Sequence, residues 1–147
     1  MSLRDWLANH WIEEQHISMH EIQTLLDAAE GHLRQARLAG LDPPWRLRMG
    51  YEAALNCARA ALFRCGYRVP RSGGGHYREI RSLALTVGLS SKTIEFLDRI
   101  RMIRNRAVYE GNQLISSEQS REVISRASDV LRITRQWLET LDEDSAE

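Results

Sequence analysis

Four arginines, an asparagine and a tyrosine lie close together in one short stretch of this chain, and their side chains suit the binding of phosphate. The stretch from Phe96 to Gly111 reads FLDRIRMIRNRAVYEG. Its polar residues of interest are Arg99, Arg101, Arg104, Asn105, Arg106 and Tyr109. A guanidinium group presents a fixed fork of donors that matches phosphate oxygens. The carboxamide and the phenol add groups that suit a sugar or a base.

The apolar residues of the same stretch predict that it is a helix. They recur at spacings of four, three and four, at Phe96, Ile100, Ile103 and Ala107, and this stripe points toward a core. At about 100° per residue, Arg101, Asn105 and Tyr109 form a neighbouring ridge, with Arg104 between that ridge and the stripe. One helix face therefore combines guanidinium, carboxamide and phenol groups. Arginine-rich helix faces are also often only solvated, so both interpretations stay open.

A glycine-rich segment is the second candidate for contact with phosphate. Residues 72–75 read SGGG and precede a predicted helix that begins at His76, where free backbone amides attract anions. The segment lacks the GK[ST] ending of a phosphate-binding loop. It is interpreted as a flexible loop between helices, with Arg71 and His76 as minor substrate contacts.

Metal and cofactor chemistry find little support in the sequence. His16 and His20 are four residues apart, but the pattern HExxH does not occur and the cysteines lack zinc-site spacing. We expect no metal and no cofactor. Cys57 and Cys65 lie in an alanine-rich apolar stretch and are interpreted as small core residues of a reducing compartment.

Length, composition and charge limit the possible classes of protein. The chain has 147 residues, 43% of them hydrophobic and 27% charged, which suits a single domain with a core. The formal net charge is zero, so an anion-binding site has to be local. No apolar run approaches the roughly 18 residues that span a bilayer, and the N-terminus lacks the apolar centre of a signal peptide. We expect a cytoplasmic protein without a membrane partner.

Helix signals dominate the whole chain and predict an all-α fold. Residues 1–16 form a leader helix, over about 2–15, that packs on the rest, and residues 142–147 form an acidic tail that frays. Capping residues and periodicity predict the main helices at 18–40, 42–65, 76–87, 91–110 and 117–141. Short connections favour an antiparallel up-and-down bundle of about five main helices plus the N-terminal one. The alanine-rich helix 42–65 is expected to be central, because small side chains let its neighbours approach closely.

The arginine-rich helix resembles the signature of the HEPN superfamily. In that signature an arginine, usually followed by asparagine, precedes a histidine by four to six residues, and here Arg104 and Asn105 match its start. A related pattern, Arg-Asn-x-Ala-x-Tyr, matches through Ala107 and Tyr109. The segment YEAALNCARAALFRCGYR is similar to an earlier helix of the family, and His76-Tyr77 fall where relatives often begin the next helix. The resemblance covers about residues 20–140.

Membership in this superfamily implies a function and a set of partners. HEPN proteins are small helical bundles, often encoded beside a minimal nucleotidyltransferase, with members in toxin–antitoxin, defence and RNA-processing systems. The resemblance implies a homodimer in which the motif helices face each other. In HEPN ribonucleases the arginine polarises the scissile phosphate and the histidine moves protons. Here Tyr109 occupies the histidine position, and a phenol with a pKa near 10 is a poor base at neutral pH.

Three hypotheses about function follow. The first is a nucleotide- or RNA-phosphate-binding protein of a toxin–antitoxin or nucleotidyltransferase pair, with Arg101, Arg104, Asn105 and His76 as binding residues. The second is a metal-independent ribonuclease that uses Arg104 and Tyr109, with His76 brought near by folding. The third is a non-enzymatic interaction module whose arginine face docks on an acidic protein.

Overall fold

Six helices and one pair of very short strands are present among the residues whose structure is described. The computed structural model describes residues 1–38, 40–71, 75–110 and 115–146, apart from the side chains of 107–110 and 145–146. In chain order the elements are α1 (Leu3–Ala8), β1 (Glu13–Glu14), α2 (Met19–Ala36), α3 (Pro43–Arg64), β2 (Tyr67–Arg68), α4 (Gly75–Ser82), α5 (Ser91–Glu110) and α6 (Ser117–Ala146). The expected all-α bundle is confirmed. No helix within these described ranges is long and apolar enough to cross a membrane.

Helix α3 is the centre of the bundle, as its alanines predict. It contacts α2, α4, α5 and α6. Its small residues are buried, among them Gly50, Ala53, Ala54, Ala58, Ala60 and Ala61. A methyl group at Gly50 would lie 2.9 Å from Cγ1 of Val123 on α6, closer than van der Waals contact allows. The absence of side-chain bulk therefore brings α3 and α6 together.

Hydrogen bonds at the helix starts confirm most of the predicted caps. The Ser18 hydroxyl accepts from the Glu21 amide at 3.2 Å. Ser116 and Gln119 form a reciprocal capping box, with bonds of 3.1 and 2.9 Å. Asp42 occupies the N-cap position of α3, but its side chain makes no capping bond. The start of α3 instead depends on two prolines, which need no amide partner in a first turn.

Three predicted helix ends were wrong. Helix α2 ends at Ala36 rather than at 40. Helix α4 ends at Ser82 rather than at 87, because hydrogen bonds between residues three apart tighten the chain from Leu83 to Leu85. Helix α6 continues through the acidic segment to Ala146 instead of ending at 141, and Asp142 lies 3.9 Å from Arg64 of α3.

The leader also differs from the single helix that was predicted for it. Helix α1 ends after one and a half turns because His10 adopts a left-handed backbone with φ of 61°. The Trp11 amide then donates to the Trp6 carbonyl at 3.0 Å and the two indole rings pack at 5.8 Å, which is a Schellman motif with histidine in the usual glycine position. The chain continues into β1, which pairs antiparallel with β2. Trp6 and Ile12 are buried, so the expected packing of the leader on the bundle is confirmed.

Replacing Gly50 by alanine should destabilise the fold. The new methyl group would overlap Val123, and overpacking of a core typically costs about 1–3 kcal/mol. Gly31→Ala on α2 is the matched control, because its methyl group would meet only an Arg34 side-chain nitrogen at 3.9 Å. That control should raise the free energy of unfolding by about 0.5–1 kcal/mol through helix propensity. Urea denaturation of both variants measures the difference; equal effects would contradict the close packing.

Candidate functional site

A surface cavity of about 780 Å³ lies where α3, α4, α5 and the segment after β2 meet. This volume is in the usual range for sites that bind small molecules. Helix α5 contributes Arg101 and Asn105, and α4 contributes His76, Tyr77 and Glu79. The remaining polar lining is arginine: Arg59 from α3, Arg68 from β2 and Arg71 from the segment that follows.

The charge of this cavity is strongly one-sided. Four arginines stand among its described lining residues, against the single carboxylate of Glu79. The protein as a whole has no net charge, so this positive charge is a local feature of the fold. Three of these arginines are paired with acids, namely Arg59 with Glu79, Arg68 with Glu13 and Arg101 with Asp98, so the excess of positive charge at the wall acts mainly at short range. The cavity is therefore suited to an anion.

Three of the four arginines are held in place through their Nε atoms. Arg59 Nε donates to Glu79 at 2.5 Å, Arg68 Nε donates to Glu13 at 2.5 Å, and Arg101 Nε donates to Asp98 at 2.9 Å. A bond at Nε leaves the terminal NH₂ groups of the guanidinium for another acceptor. Among the described residues, Arg59 alone of the three uses one of these groups, 3.4 Å from the same carboxylate. Each anchoring carboxylate weakens the local positive field. In return it orders a long side chain in advance, which lowers the entropy cost of binding a ligand.

The leader takes part in building this wall. Strand β1 supplies Glu13, and its pairing with β2 puts the Glu13 backbone directly opposite Arg68. The Gln15 amide adds a hydrogen bond of 2.9 Å to the carbonyl of Gly66, and Trp11 lies 4.2 Å from the guanidinium carbon of Arg78 on α4. The leader thus supports the start of the segment that carries Arg68 and Arg71 into the cavity.

Arg104 occupies a different environment from its neighbours on α5. Its Nη2 donates to Glu52 of α3 at 3.2 Å, and its guanidinium carbon lies 5.5 Å from the centre of the Tyr51 ring. The Arg104 side chain is only 21% exposed, and its Nε has no hydrogen-bond partner among the described residues. This position follows from its place between the polar ridge and the apolar stripe. The structure thus engages Arg104 with α3, and its predicted contact with a ligand stays a prediction.

His76 of the cavity wall lies beside Tyr51, which does not line the cavity. Their ring centres are 6.2 Å apart, and Tyr51 is fully buried with no partner for its hydroxyl among the described residues. Burial raises the pKa of Tyr51, although Arg104 opposes the shift, so the phenol stays neutral. Burial also lowers the pKa of His76; Glu79 partly opposes this shift, while Arg59 and Arg104 add to it. This lowered pKa favours the neutral form of the His76 imidazole.

The structure brings together three of the five predicted site residues. Arg101, Asn105 and His76 line one cavity, whereas Arg104 lies beside it against Glu52. Tyr109 falls within α5, but its side chain is outside the described residues. Its predicted position facing the pocket stays a prediction.

Sequence reasoning missed Arg59 and Arg68 and gave Tyr77 no role in binding. Arg59 carried a usable signal, because it is the one charged residue in the run ALNCARAALF, and an arginine on a buried helix needs a partner or a ligand. The sequence around Arg68 carried no such signal, because the position of Arg68 depends on the pairing of two strands of only two residues each. Within the described part of the chain, no group of three histidine, cysteine, aspartate or glutamate side chains could hold a metal ion.

The sequence matches no protein-family model and no curated protein. The resemblance to HEPN proteins thus depends on the motif at Arg104 and Asn105 and on the order of the helices. An all-α bundle is what that resemblance implies for the fold, and the chain has one.

The lowered pKa of His76 should make stability depend on pH. Because its folded-state pKa lies below the ordinary value of 6.5, the unfolded chain takes up this proton first as the pH falls. The contribution of His76 to the free energy of unfolding is then complete above pH 6.5 and is lost as the pH falls through the folded-state pKa. Between pH 7.5 and pH 5.5, urea denaturation should show a larger loss of the free energy of unfolding for the wild type than for His76→Gln. Equal losses of the free energy of unfolding in the two proteins would contradict the lowered pKa of His76.

Proposed function

We propose that the arginine-lined cavity binds the phosphate of a nucleotide or of RNA. The observation that carries this proposal is the convergence of Arg59, Arg68, Arg71 and Arg101 on one cavity of a protein with zero net charge. These four side chains come from α3, the segment after α3 and α5. Terminal guanidinium groups that already have a carboxylate at Nε are oriented donors for phosphate oxygens. Arg71 forms no ion pair with any described residue and adds a further unit of positive charge.

The polar groups beside the arginines fit a nucleotide better than a bare anion. Asn105 is exposed at the cavity and offers both a donor and an acceptor to a sugar or a base. His76 adds an imidazole whose neutral form, favoured by its lowered pKa, can donate or accept. Arg104 sits behind this layer, where its pairing with Glu52 fixes the approach of α5 to α3.

The resemblance to HEPN proteins extends the proposal to partners. On that basis the protein is one component of a toxin–antitoxin or nucleotidyltransferase pair and forms a homodimer in which the two α5 helices face each other. A dimer of this kind would bring a second set of arginines toward the first. The phosphate-binding proposal does not depend on this extension, because the cavity lies within one chain.

Binding of a phosphate ligand should depend on Arg101 and not on Arg99. Both are arginines of α5, but Arg99 is exposed away from the cavity, so Arg99→Gln is a matched change of charge. A hydrogen bond to a charged group contributes about 1.5–3 kcal/mol. Arg101→Gln should therefore weaken the binding of adenosine nucleotides or a single-stranded oligoribonucleotide by about 10- to 100-fold at low salt. Calorimetry or fluorescence anisotropy measures the dissociation constants.

Two outcomes would contradict the proposal. Equal weakening by Arg99→Gln and Arg101→Gln would indicate a diffuse charge effect without a defined site. No binding of nucleotide or RNA at low salt, where phosphate contacts are strongest, would instead favour the non-enzymatic interaction module. Circular dichroism of each variant establishes that the helices are retained.

A metal-independent ribonuclease is the second candidate function. The observation that favours it is the position of the His76 imidazole in the same cavity as Asn105 and Arg101, because a base must lie within reach of the 2′-hydroxyl whose proton it takes. In this scheme His76 replaces the histidine that the motif lacks. In the same scheme, as the motif implies, Arg104 polarises the scissile phosphate, and Tyr109 donates a hydrogen bond or acts as a weak acid.

Cleavage of RNA by the purified protein with EDTA present would support this second function. His76→Ala, Arg104→Ala and Tyr109→Phe should each reduce the rate, with the loss of an acid–base group typically costing about 10²- to 10⁴-fold. His20→Ala is the control, because His20 is exposed on α2 and does not line the cavity. Cleavage that survives His76→Ala and Tyr109→Phe unchanged would point to a contaminating nuclease.

A further inference from the structure

Tyr77 is an aromatic residue left open to solvent at the wall of the cavity. It lies on the first turn of α4 and is 41% exposed. The ring lines the same cavity as Arg101 and Asn105. A large aromatic side chain is usually buried when packing is its only role. Because it is exposed beside Arg101 in the wall of the cavity, the ring offers a flat apolar surface to a ligand.

Two guanidinium groups hold the Tyr77 ring in position. The guanidinium carbon of Arg81 lies 4.8 Å from the ring centre and that of Arg101 lies 5.4 Å from it. Both arginines are paired with one carboxylate, since Asp98 lies 2.9 Å from Arg101 and 3.7 Å from Arg81. Cation–π contacts of this kind position the ring, and 41% of Tyr77 is exposed with both guanidinium groups in place. The ring is thus both accessible and positioned in advance.

We infer that Tyr77 is a stacking surface for an unpaired base, and that the cavity therefore selects a free nucleotide or single-stranded RNA. This inference rests on the proposed binding of phosphate. Arg101 contacts the ring and also lines the cavity, so an aromatic surface and a phosphate donor lie next to each other. A nucleotide presents the matching pair of groups, a base and a phosphate joined by a sugar. Every base has a π-face, so the surface accepts any of the four.

Duplex RNA should be a poor ligand for the same reason. Its bases are paired and stacked on each other, and their faces are not available to a protein side chain. Inorganic phosphate and sugar phosphates should also bind weakly, because they have no ring to stack. The selectivity expected of this cavity is thus for a phosphate that carries an accessible base.

The test compares ligands that differ only in the base, using the full-length protein. AMP should bind about 10-fold or more tightly than ribose 5-phosphate, since stacking of one base typically changes affinity by about 5- to 150-fold. Tyr77→Leu should bring the affinity for AMP down to that for ribose 5-phosphate, whereas Tyr77→Phe should retain the difference. The affinity for ribose 5-phosphate itself should change little in either variant, which checks that Arg101 has kept its position. A single-stranded oligoadenylate and its duplex with oligouridylate extend the comparison to RNA.

The outcomes separate this inference from the function on which it rests. If AMP and ribose 5-phosphate bind the wild type equally, or if Tyr77→Leu leaves both affinities unchanged, the stacking role is overturned while phosphate binding stands. If no phosphate ligand binds the wild type, both proposals fail. Loss of AMP binding in Tyr77→Leu with retention in Tyr77→Phe supports the stacking role. The relative affinities of AMP and oligoadenylate then show whether the ligand is a free nucleotide or RNA.

Discussion

The ion pair between Arg59 and Glu79 is the interaction on which the candidate site depends most directly. It joins α3, the central helix, to α4, and the Glu79 side chain is only 10% exposed. A carboxylate so far removed from water has to be paired, because the loss of one partner of a buried ion pair typically costs about 3–5 kcal/mol. This requirement fixes α4 against α3. The position of α4 in turn sets where His76 and Tyr77 meet the arginines of the other elements.

The same use of charge recurs around the cavity and explains how a protein of zero net charge forms a positive site. Glu13 orders Arg68 and Asp98 orders Arg101, in both cases through Nε. Neither acid lines the cavity, and both bonds use Nε, so the terminal nitrogens of these guanidinium groups remain available to a ligand. At long range each acid cancels most of the field of its arginine, and screening by salt removes much of the rest. At contact distance the terminal guanidinium nitrogens can still donate hydrogen bonds to a ligand. Binding in a defined pocket depends on such bonds, whereas attraction to a basic surface depends on the long-range field.

Much of the fold could be predicted from the sequence, because its signals are local. The apolar period of four, three and four residues identified α5 with both of its ends correct, and serine caps located the starts of α2 and α6. The alanines of α3 predicted its central position, since helices can approach closely only where side chains are small. The errors fell where a local rule has an exception: His10 adopts a backbone conformation that glycine usually supplies, and α4 changes to tighter turns after Ser82.

Some features of the candidate site could likewise be predicted from the sequence, whereas others depend on the tertiary structure. The sequence by itself determined that α5 presents Arg101 and Asn105 on one face, because the angle between residues on a helix is fixed by its hydrogen bonds. Only the tertiary structure decided which other groups share that face. The cavity combines Arg59, Arg68 and Tyr77, which come from three different elements. Arg104 lies against Glu52 because α3 packs beside this part of α5. Pairing between distant charges and close packing of helices are properties of the folded chain, so no local pattern of residues encodes them.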